Sequence, residues 1–143
     1  MDRIAIVYWS GQGATEEMAQ YVKKGVEAAG KTADIYKAAD FGKNLAEQYD
    51  KIAFGCPAMG NEELEPWEFL PMFEEVEPTL KGKKVVLFGS YGWGEGQWMK
   101  DWEVRIVYDD GALLMDYGLI LQYEPDEEGR MDCENLGTTL AIS

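Results

Sequence analysis

The chain has 143 residues, of which 46% are hydrophobic, and a formal net charge of −14. This length and composition predict one domain with a real hydrophobic core, spanning residues 1–143. The strong negative charge argues against partners that need a basic surface, so we expect binding neither to nucleic acid nor to anionic membranes.

Two residue types narrow the chemistry further. Histidine is absent, which removes the commonest acid–base group and the commonest metal ligand, so we predict no catalytic residue and no metal site. Cys56 and Cys133 lack a metal-ligand or C-x-x-C spacing and are predicted to be buried free thiols. The chain has no apolar stretch near the ~18 residues of a membrane span and no signal-type segment. We therefore expect a soluble, cytoplasmic protein.

Strand and helix patterns alternate along the chain. Strands are predicted at residues 3–9, 32–36, 51–55, 85–90, 112–115 and 119–121. Helices are predicted at 15–29, around 44–48, around 69–76, at 98–107 and from 126 onward. Trp98, Trp102 and Ile106 repeat every four residues and should form the buried stripe of the fourth helix. The two apolar segments after residue 111 count as one fifth strand, and the alternation predicts an α/β fold with a parallel sheet and right-handed crossovers.

The loop after the first strand reads Ser-Gly-Gln-Gly-Ala-Thr, from Ser10 to Thr15. Its glycines let the backbone approach a ligand, its hydroxyls can donate, and the helix that follows directs free N–H groups at an anion. No Lys or Arg lies between Arg3 and Lys23, so the donors are neutral. Residues 10–15 are therefore predicted to form a phosphate loop, which holds a phosphate with neutral donors. The alternative is an ordinary glycine-rich turn.

The same loop distinguishes between possible sheet orders. A dinucleotide-binding loop would carry a third glycine where Glu16 stands, and a P-loop would continue with Gly-Lys-Ser/Thr. A receiver domain would have acidic residues at Ser10 and Cys56. The remaining doubly wound order is 2-1-3-4-5, with ligand at the switch point between the first and third strands.

Two further loops should meet at that point, because they follow the third and fourth strands. Each offers one large polarizable side chain framed by small residues, Met59 in 56–62 and Trp93 in 90–96. Taken singly, Met59 suits core packing and Trp93 a helix cap. Together with the phosphate loop they predict a site where a flat ring carrying one phosphate lies between two side chains.

These motifs, in this order, resemble the short-chain flavodoxins of anaerobic bacteria. The resemblance is carried by Tyr8-Trp9-Ser10-Gly11 with Gly13 and Thr15, by Cys56-Pro57-Ala58-Met59-Gly60 with residues 62–65, by residues 82–85 and 87–94, and by Glu124-Pro125-Asp126-Glu127. Too few residues separate Gly111 from Asp126 for the insertion that splits the fifth strand of long-chain relatives. The resemblance implies a flavodoxin-like three-layer sandwich with a five-stranded sheet, noncovalently bound FMN, and one-electron transfer without substrate turnover.

The resemblance also implies roles for individual residues. Met59 would lie on the inner flavin face, Trp93 on the outer face, and Glu62 would accept a hydrogen bond from flavin N3–H. The full expected FMN-binding set is Ser10, Gly11, Gln12, Gly13, Ala14, Thr15, Pro57, Ala58, Met59, Gly60, Asn61, Glu62, Ser90, Tyr91, Gly92, Trp93 and Gly96.

The sequence departs from the family pattern at four places. The phosphate loop has Gln12 and Ala14 where relatives commonly carry Thr and Asn, which changes two phosphate donors. Asn61 replaces a residue that is often Asp, Ser or Gly, and tolerates a left-handed turn conformation. Tyr123 stands near the expected ribityl chain, where Asn is common. These changes bear on FMN affinity and potential more than on cofactor identity.

The expected activity is shuttling between flavin semiquinone and hydroquinone at low potential. Full reduction places a negative charge near flavin N1, so nearby carboxylates would make the second electron hard to add. The Gly60 carbonyl would turn toward N5–H of the one-electron state. The expected partners are redox enzymes with basic docking patches, and the protein is expected to be a monomer. Docking would use the acidic run from Glu62 to Glu77, for which a merely solvated helix face is the alternative.

Two other functions are compatible with these patterns. A small NAD(P)H-dependent flavin reductase would need a nicotinamide site and a dimer interface, and no leftover segment of the sequence supplies them. A degenerate binding module without FMN is the third hypothesis, which the changed Gln12 and Ala14 keep open.

Overall fold

A parallel β-sheet lies at the centre of the structure, a computed structural model that describes residues 3–143. Its strands are β1 (Ile4–Tyr8), β2 (Ala33–Lys37), β3 (Lys51–Gly55), β4 (Lys84–Tyr91), β5 (Leu113–Leu114) and β6 (Leu119–Gln122). The strand order is β2-β1-β3-β4-β5, and every paired strand is parallel. The order predicted from the first loop is confirmed.

The outer position beside β4 holds two short strands in place of one. β5 pairs with the first residues of β4, and β6 pairs with Phe88 to Tyr91. Between them the backbone leaves the sheet: the N–H of Tyr117 donates to Asp116 Oδ1, and that of Gly118 donates to Glu103 Oε2. Side chains therefore take the hydrogen bonds that a continuous fifth strand would have given to β4.

Five helices cover the sheet: α1 (Ala14–Ala28), α2 (Lys43–Ala46), α3 (Phe69–Val76), α4 (Gln97–Val104) and α5 (Glu127–Ile142). Successive strand residues point to opposite faces, so the sheet has a buried cluster on each side. Phe54 and Leu87 pack with Trp98 and Trp102 on one face, and Val86 packs with helices α1 and α5 on the other. The three-layer arrangement is confirmed.

Most predicted element boundaries agree with the structure to within one or two residues, but the fourth helix does not run as one α-helix to residue 107. Helix α4 ends at Val104, and a π-helical turn follows from Arg105 to Asp109. The side chain of Arg105 bonds to the carboxylate of Glu77 through two nitrogens, which holds this turn against the end of α3. The predicted stripe of Trp98, Trp102 and Ile106 is buried nonetheless.

Other sequence-based expectations concern the last helix, the cysteines and membranes. Asp126 caps α5, because its Oδ1 accepts from the Gly129 N–H at 2.7 Å. Cys56 and Cys133 are both buried and free. Within the described residues 3–143, no helix has the length and apolar character needed to span a membrane.

Helices α1 and α5 approach each other closely on one face of the sheet. A Cβ atom on Gly25 would lie 1.8 Å from the carbonyl oxygen of Glu134, and one on Gly137 would lie 2.0 Å from that of Val22. The hydroxyl of Thr138 donates to the Gly25 carbonyl oxygen at 2.8 Å. These backbone contacts are possible only with glycine, and they fix α1 against α5.

We predict that Gly137→Ala destabilises the fold by about 1 to 3 kcal/mol, because the added methyl group forces the two helices apart. Urea unfolding measures the effect, with Asn135→Ala on the exposed side of α5 as the control. Equal stabilities of the two variants would show that the interface relaxes without strain.

Candidate functional site

A cavity of about 520 Å³ opens at the carboxyl ends of β1, β3 and β4. Its size lies within the ~300–1,000 Å³ range of small-molecule sites. It is lined by Trp9, Ser10, Gly11, Gln12, Ala14, Thr15, Pro57, Ala58, Met59, Ser90, Tyr91, Gly92 and Tyr123. All of these side chains are uncharged, in a protein whose formal net charge is −14.

The structure brings most of the predicted site residues together around this cavity. Those that do not line it are Gly13, Gly60, Asn61, Glu62, Trp93 and Gly96. Trp93 is instead 65% exposed on the outer part of its loop. The FMN-binding set as a whole stays a prediction.

Trp9 and Tyr123 line the cavity although the sequence-based set omitted them. Trp9 directly follows β1, and its backbone N–H donates to the carbonyl oxygen of Gly55 at the end of β3. The sequence signal available for Trp9 was its position between the first strand and the phosphate loop. Tyr123 follows β6 with a φ of 60°, and a Cβ on Gly92 would lie 3.5 Å from its ring. The pairing of β6 with β4 brings Tyr123 to the cavity, and the family resemblance had placed it near the cofactor.

The loop before α1 has the geometry of an anion site built from neutral groups. Helix α1 begins at Ala14, and no side chain caps its first turn. The first-turn amides of a helix have no intrahelical partner, so they can donate to a ligand in the cavity. Gly13, at φ 102°, donates its N–H to Ser10 Oγ, which turns the chain into the helix.

A buried hydrogen bond joins this loop to the fourth strand. Thr15 Oγ1 and Ser90 Oγ lie 2.8 Å apart, and both residues are buried. The predicted phosphate donor Thr15 is thus positioned by the end of β4. The bond also fixes the distance between two of the three loops that form the cavity.

Two acidic residues in the first turn of α1 are bonded to groups outside the cavity lining. Glu16 Oε2 accepts from the hydroxyl of Tyr8, and Glu17 pairs with Arg130 at 3.4 Å. Burial, and next the Glu16 carboxylate, raise the pKa of Tyr8. Both carboxylates therefore have partners away from the loop where an anion would bind.

Cys56, directly after β3, is structural. Its Sγ accepts from the Glu65 N–H at 3.3 Å, and burial raises the pKa of the thiol far above its usual range. The thiol is protonated at neutral pH and is not a nucleophile.

A three-residue loop links Met59 to Glu63. The backbones of these two residues exchange two hydrogen bonds of 2.8 Å, so the loop is closed at its base. Positive φ angles occur at Gly60 (53°) and Glu62 (57°), not at Asn61, whose left-handed tolerance was expected to matter. The loop therefore has two residues in the left-handed region, Gly60 and Glu62.

The carboxylate of Glu62 joins the second and third loops. Its Oε1 accepts from the backbone N–H groups of Gly96, at 3.1 Å, and Gln97, at 2.9 Å, at the start of α4. The family role expected for Glu62, a hydrogen bond from flavin N3–H, would have to use Oε2. Oε2 accepts no hydrogen bond from residues 3–143.

The acidic run from Glu62 to Glu77 is not a uniformly solvated face. Glu65 is buried and accepts backbone N–H groups of Trp67, Glu68 and Phe69 at 2.7 to 2.9 Å, which starts α3. Glu68 accepts from the indole N–H of Trp9 at 2.9 Å.

Two more members of the run hold neighbouring elements. Glu75 accepts from the Lys43 N–H at 2.7 Å, and Glu77 pairs with Arg105. Within the described part of the chain, only the carboxylates of Glu63 and Glu74 in this run make neither a hydrogen bond nor a salt bridge. Most of the run therefore has a structural role, but within residues 3–143 only Glu77 of these residues pairs with a cation, so the run keeps most of its negative charge.

A second cavity, of about 640 Å³, lies at the opposite edge of the sheet. Several lysines line it, including Lys43, Lys81 and Lys84, and it contains none of the predicted site residues. Ligands of open parallel sheets bind at the carboxyl ends of the strands. We therefore assign the functional site to the smaller, uncharged cavity.

Comparisons with known proteins show the family of the chain. The family model described as Flavodoxin matches residues 6–135. The chain belongs to the flavodoxin family. It is 44% identical to a flavodoxin of Clostridium beijerinckii over 95% of this chain and 97% of the relative, and 43% identical to one of Megasphaera elsdenii over 96% and 98%. The solution structure of two-electron reduced Megasphaera elsdenii flavodoxin superposes with a TM-score of 0.88, at 42% identity, covering 98% of this chain and 99% of that one.

Flavodoxins are electron carriers that bind FMN, and they are not enzymes. The residues present fit this cofactor. The uncharged loop and the start of α1 suit a phosphate, while Trp9, Met59 and Tyr91 give the cavity apolar and aromatic walls. The short-chain type is confirmed by the near-complete coverage of relatives of the same length.

We predict that Glu62→Ala lowers the free energy of unfolding by about 1 to 2 kcal/mol even without cofactor, since two amides of α4 lose their acceptor. Glu63→Ala, one residue away and exposed, is the control and should be nearly neutral. Denaturant unfolding of the apoprotein measures both. A neutral Glu62→Ala would mean that water replaces the carboxylate at no cost.

Proposed function

We propose that the protein is a single FMN-binding domain that carries single electrons at low potential between cytoplasmic redox enzymes. The observation that supports this most strongly is the uncharged cavity at the start of α1, in the sheet position where this fold binds ligands. FMN would supply the redox chemistry, and the protein binds and orients it. The flavin reductase and the cofactor-free module are not favoured, since the full-length relatives are flavodoxins.

Each of the three loops has a proposed task. Residues 10–15 hold the phosphate through backbone amides and hydroxyls, and Met59 covers the inner face of the flavin ring. Trp93 and Tyr123, 65% and 66% exposed, are free to cover the outer face. The freedom of Gly60 allows its carbonyl to turn toward the ring, while the Met59–Glu63 bonds confine this movement to the loop.

The charge distribution supports a low potential. The cavity lining includes no cation, whereas the protein carries 27 acidic and 13 basic residues. Two unit charges about 10 Å apart interact by ~1.7 kcal/mol at an effective dielectric of ~20, before screening by salt. Adding a negative charge to a ring in this cavity is therefore opposed by the surrounding carboxylates.

Titration of the apoprotein with FMN tests the proposal directly. FMN fluorescence should be strongly quenched, because aromatic side chains contact the ring, and NAD(P)H should not be oxidised at a catalytic rate. Unchanged flavin fluorescence at micromolar protein would overturn the electron-carrier proposal, and steady NAD(P)H oxidation would favour the reductase.

We predict that the double change Gln12→Thr with Ala14→Asn tightens FMN binding by about tenfold or more. Both residues line the cavity, and a hydrogen bond to a charged group contributes about 1.5 to 3 kcal/mol. Calorimetry measures the affinity, and riboflavin, which lacks the phosphate, is the control ligand and should not gain. If FMN gains nothing, backbone amides already saturate the phosphate.

We also predict that Glu63→Lys slows electron transfer to a basic acceptor protein at low salt. Glu63 is the free carboxylate beside the Met59 loop, and electrostatic steering weakens as the Debye length falls from ~30 Å at 0.01 M to ~10 Å at 0.1 M salt. Glu65, though part of the same run, is unsuitable because it is buried in the start of α3.

The matched control is Glu27→Lys, which makes the same charge change about 20 Å along α1 from its first turn. Stopped-flow rates at 0.01 M and 0.5 M salt should separate the two variants only at the lower concentration. Equal slowing by both would show that total charge governs the rate and that no local docking surface exists.

A further inference from the structure

A large aromatic side chain stands in solvent beside the functional site. Trp67 is 85% exposed, yet its backbone is held firmly, because its N–H donates to Glu65 Oε2 at 2.9 Å. Glu65 itself is buried at the start of α3. Exposed aromatic groups in fixed positions are typical of the residues that dominate protein interfaces.

Trp67 forms one side of a cleft of about 410 Å³, which we call the Trp67 cleft. Leu64 and Pro66 contribute apolar surface to it, and Trp9 and Met59 form its other side. Trp9 and Met59 also line the proposed FMN cavity. A group bound in the cleft would therefore contact the same two side chains that contact the cofactor.

Hydrogen bonds fix the wall of Trp9 and Met59 that the Trp67 cleft shares with the proposed FMN cavity. The indole N–H of Trp9 donates to Glu68 Oε1 at 2.9 Å, and Met59 is held by its two backbone bonds to Glu63. A side chain in the cleft would meet a preformed surface, which lowers the entropy lost on binding.

The charges around the cleft define the partner. Its lining includes the acidic residues Glu63 and Glu65 and no Lys or Arg among the described residues. Glu63 is exposed and has no salt-bridge partner within residues 3–143. An apolar centre with an acidic rim is complementary to an apolar side chain surrounded by Lys or Arg.

We propose that the Trp67 cleft is the anchoring point for a basic redox partner, which inserts one apolar or aromatic side chain between Trp67 and the wall formed by Trp9 and Met59. This inference rests on the proposed function and adds to it the place and chemistry of docking. Contact at the cleft brings the partner to within one layer of side chains of the cofactor.

Electron transfer from the reduced, FMN-loaded protein to ferric cytochrome c, a basic haem protein, tests the proposal. Trp67→Ala should lower the second-order rate by about fivefold or more at 0.5 M salt, where steering is screened and apolar contact remains. Trp67→Phe, which keeps a ring, should retain more than half of the rate.

Tyr117→Ala is the matched control, because Tyr117 is 86% exposed and lines neither the FMN cavity nor the Trp67 cleft. Its rate should stay within twofold of that of the unaltered protein. FMN affinity should be the same in all variants, which shows that the cofactor site is intact.

If Trp67→Ala transfers electrons as fast as the unaltered protein, or if Tyr117→Ala is slowed equally, the docking proposal is overturned while the carrier function stands. An unaltered protein that binds no FMN would overturn the carrier function, and the docking proposal with it.

Discussion

The site depends on the register of three parallel strands, β1, β3 and β4, whose carboxyl ends are aligned. Tyr8 of β1 pairs with Gly55 of β3, and Gly55 pairs with Phe88 of β4. The loops that follow these strands therefore leave the sheet at the same height. Gly55 and Gly89 permit the close packing beneath them: a Cβ on either would lie 2.2 Å from a neighbouring atom, of Phe88 or Cys56 respectively. Without this register the phosphate loop and the Met59 loop would not share a cavity.

Hydrogen bonds between loops then convert this common height into a fixed shape. The Thr15–Ser90 bond joins the first loop to β4, and Glu62 joins the second loop to the start of α4. Glu62 and Glu65 both place a carboxylate at the N-terminal end of a helix, where it complements the helix dipole. The acidic composition of the chain thus serves local structure as well as charge, which the net value of −14 does not reveal.

Separation of charge from the cavity is the main electrostatic feature of the protein. The cavity has an uncharged lining, whereas the protein as a whole carries 27 acidic and 13 basic residues. Under the proposed function, dipoles would hold the anionic phosphate, while the field of the whole molecule would stay negative toward an approaching partner. Trp67 and Glu63 line the Trp67 cleft and not the FMN cavity, so the proposed docking and cofactor sites share Trp9 and Met59.

By itself the sequence determined the fold class, the strand order and most of the cavity lining. Apolar period and turn residues are local properties, and in a parallel sheet the carboxyl ends of neighbouring strands must meet, so Ser10, Met59 and Tyr91 could be placed together in advance. The tertiary structure alone decided which acidic residues are free. Glu62 and Glu77 find their partners in distant segments, whereas Glu65 accepts from N–H groups that follow it directly, at the start of α3. It also decided the π-helical turn at Arg105 and the interruption between β5 and β6. Each of these arises where a hydrogen bond between residues far apart in the chain outweighs the local pattern.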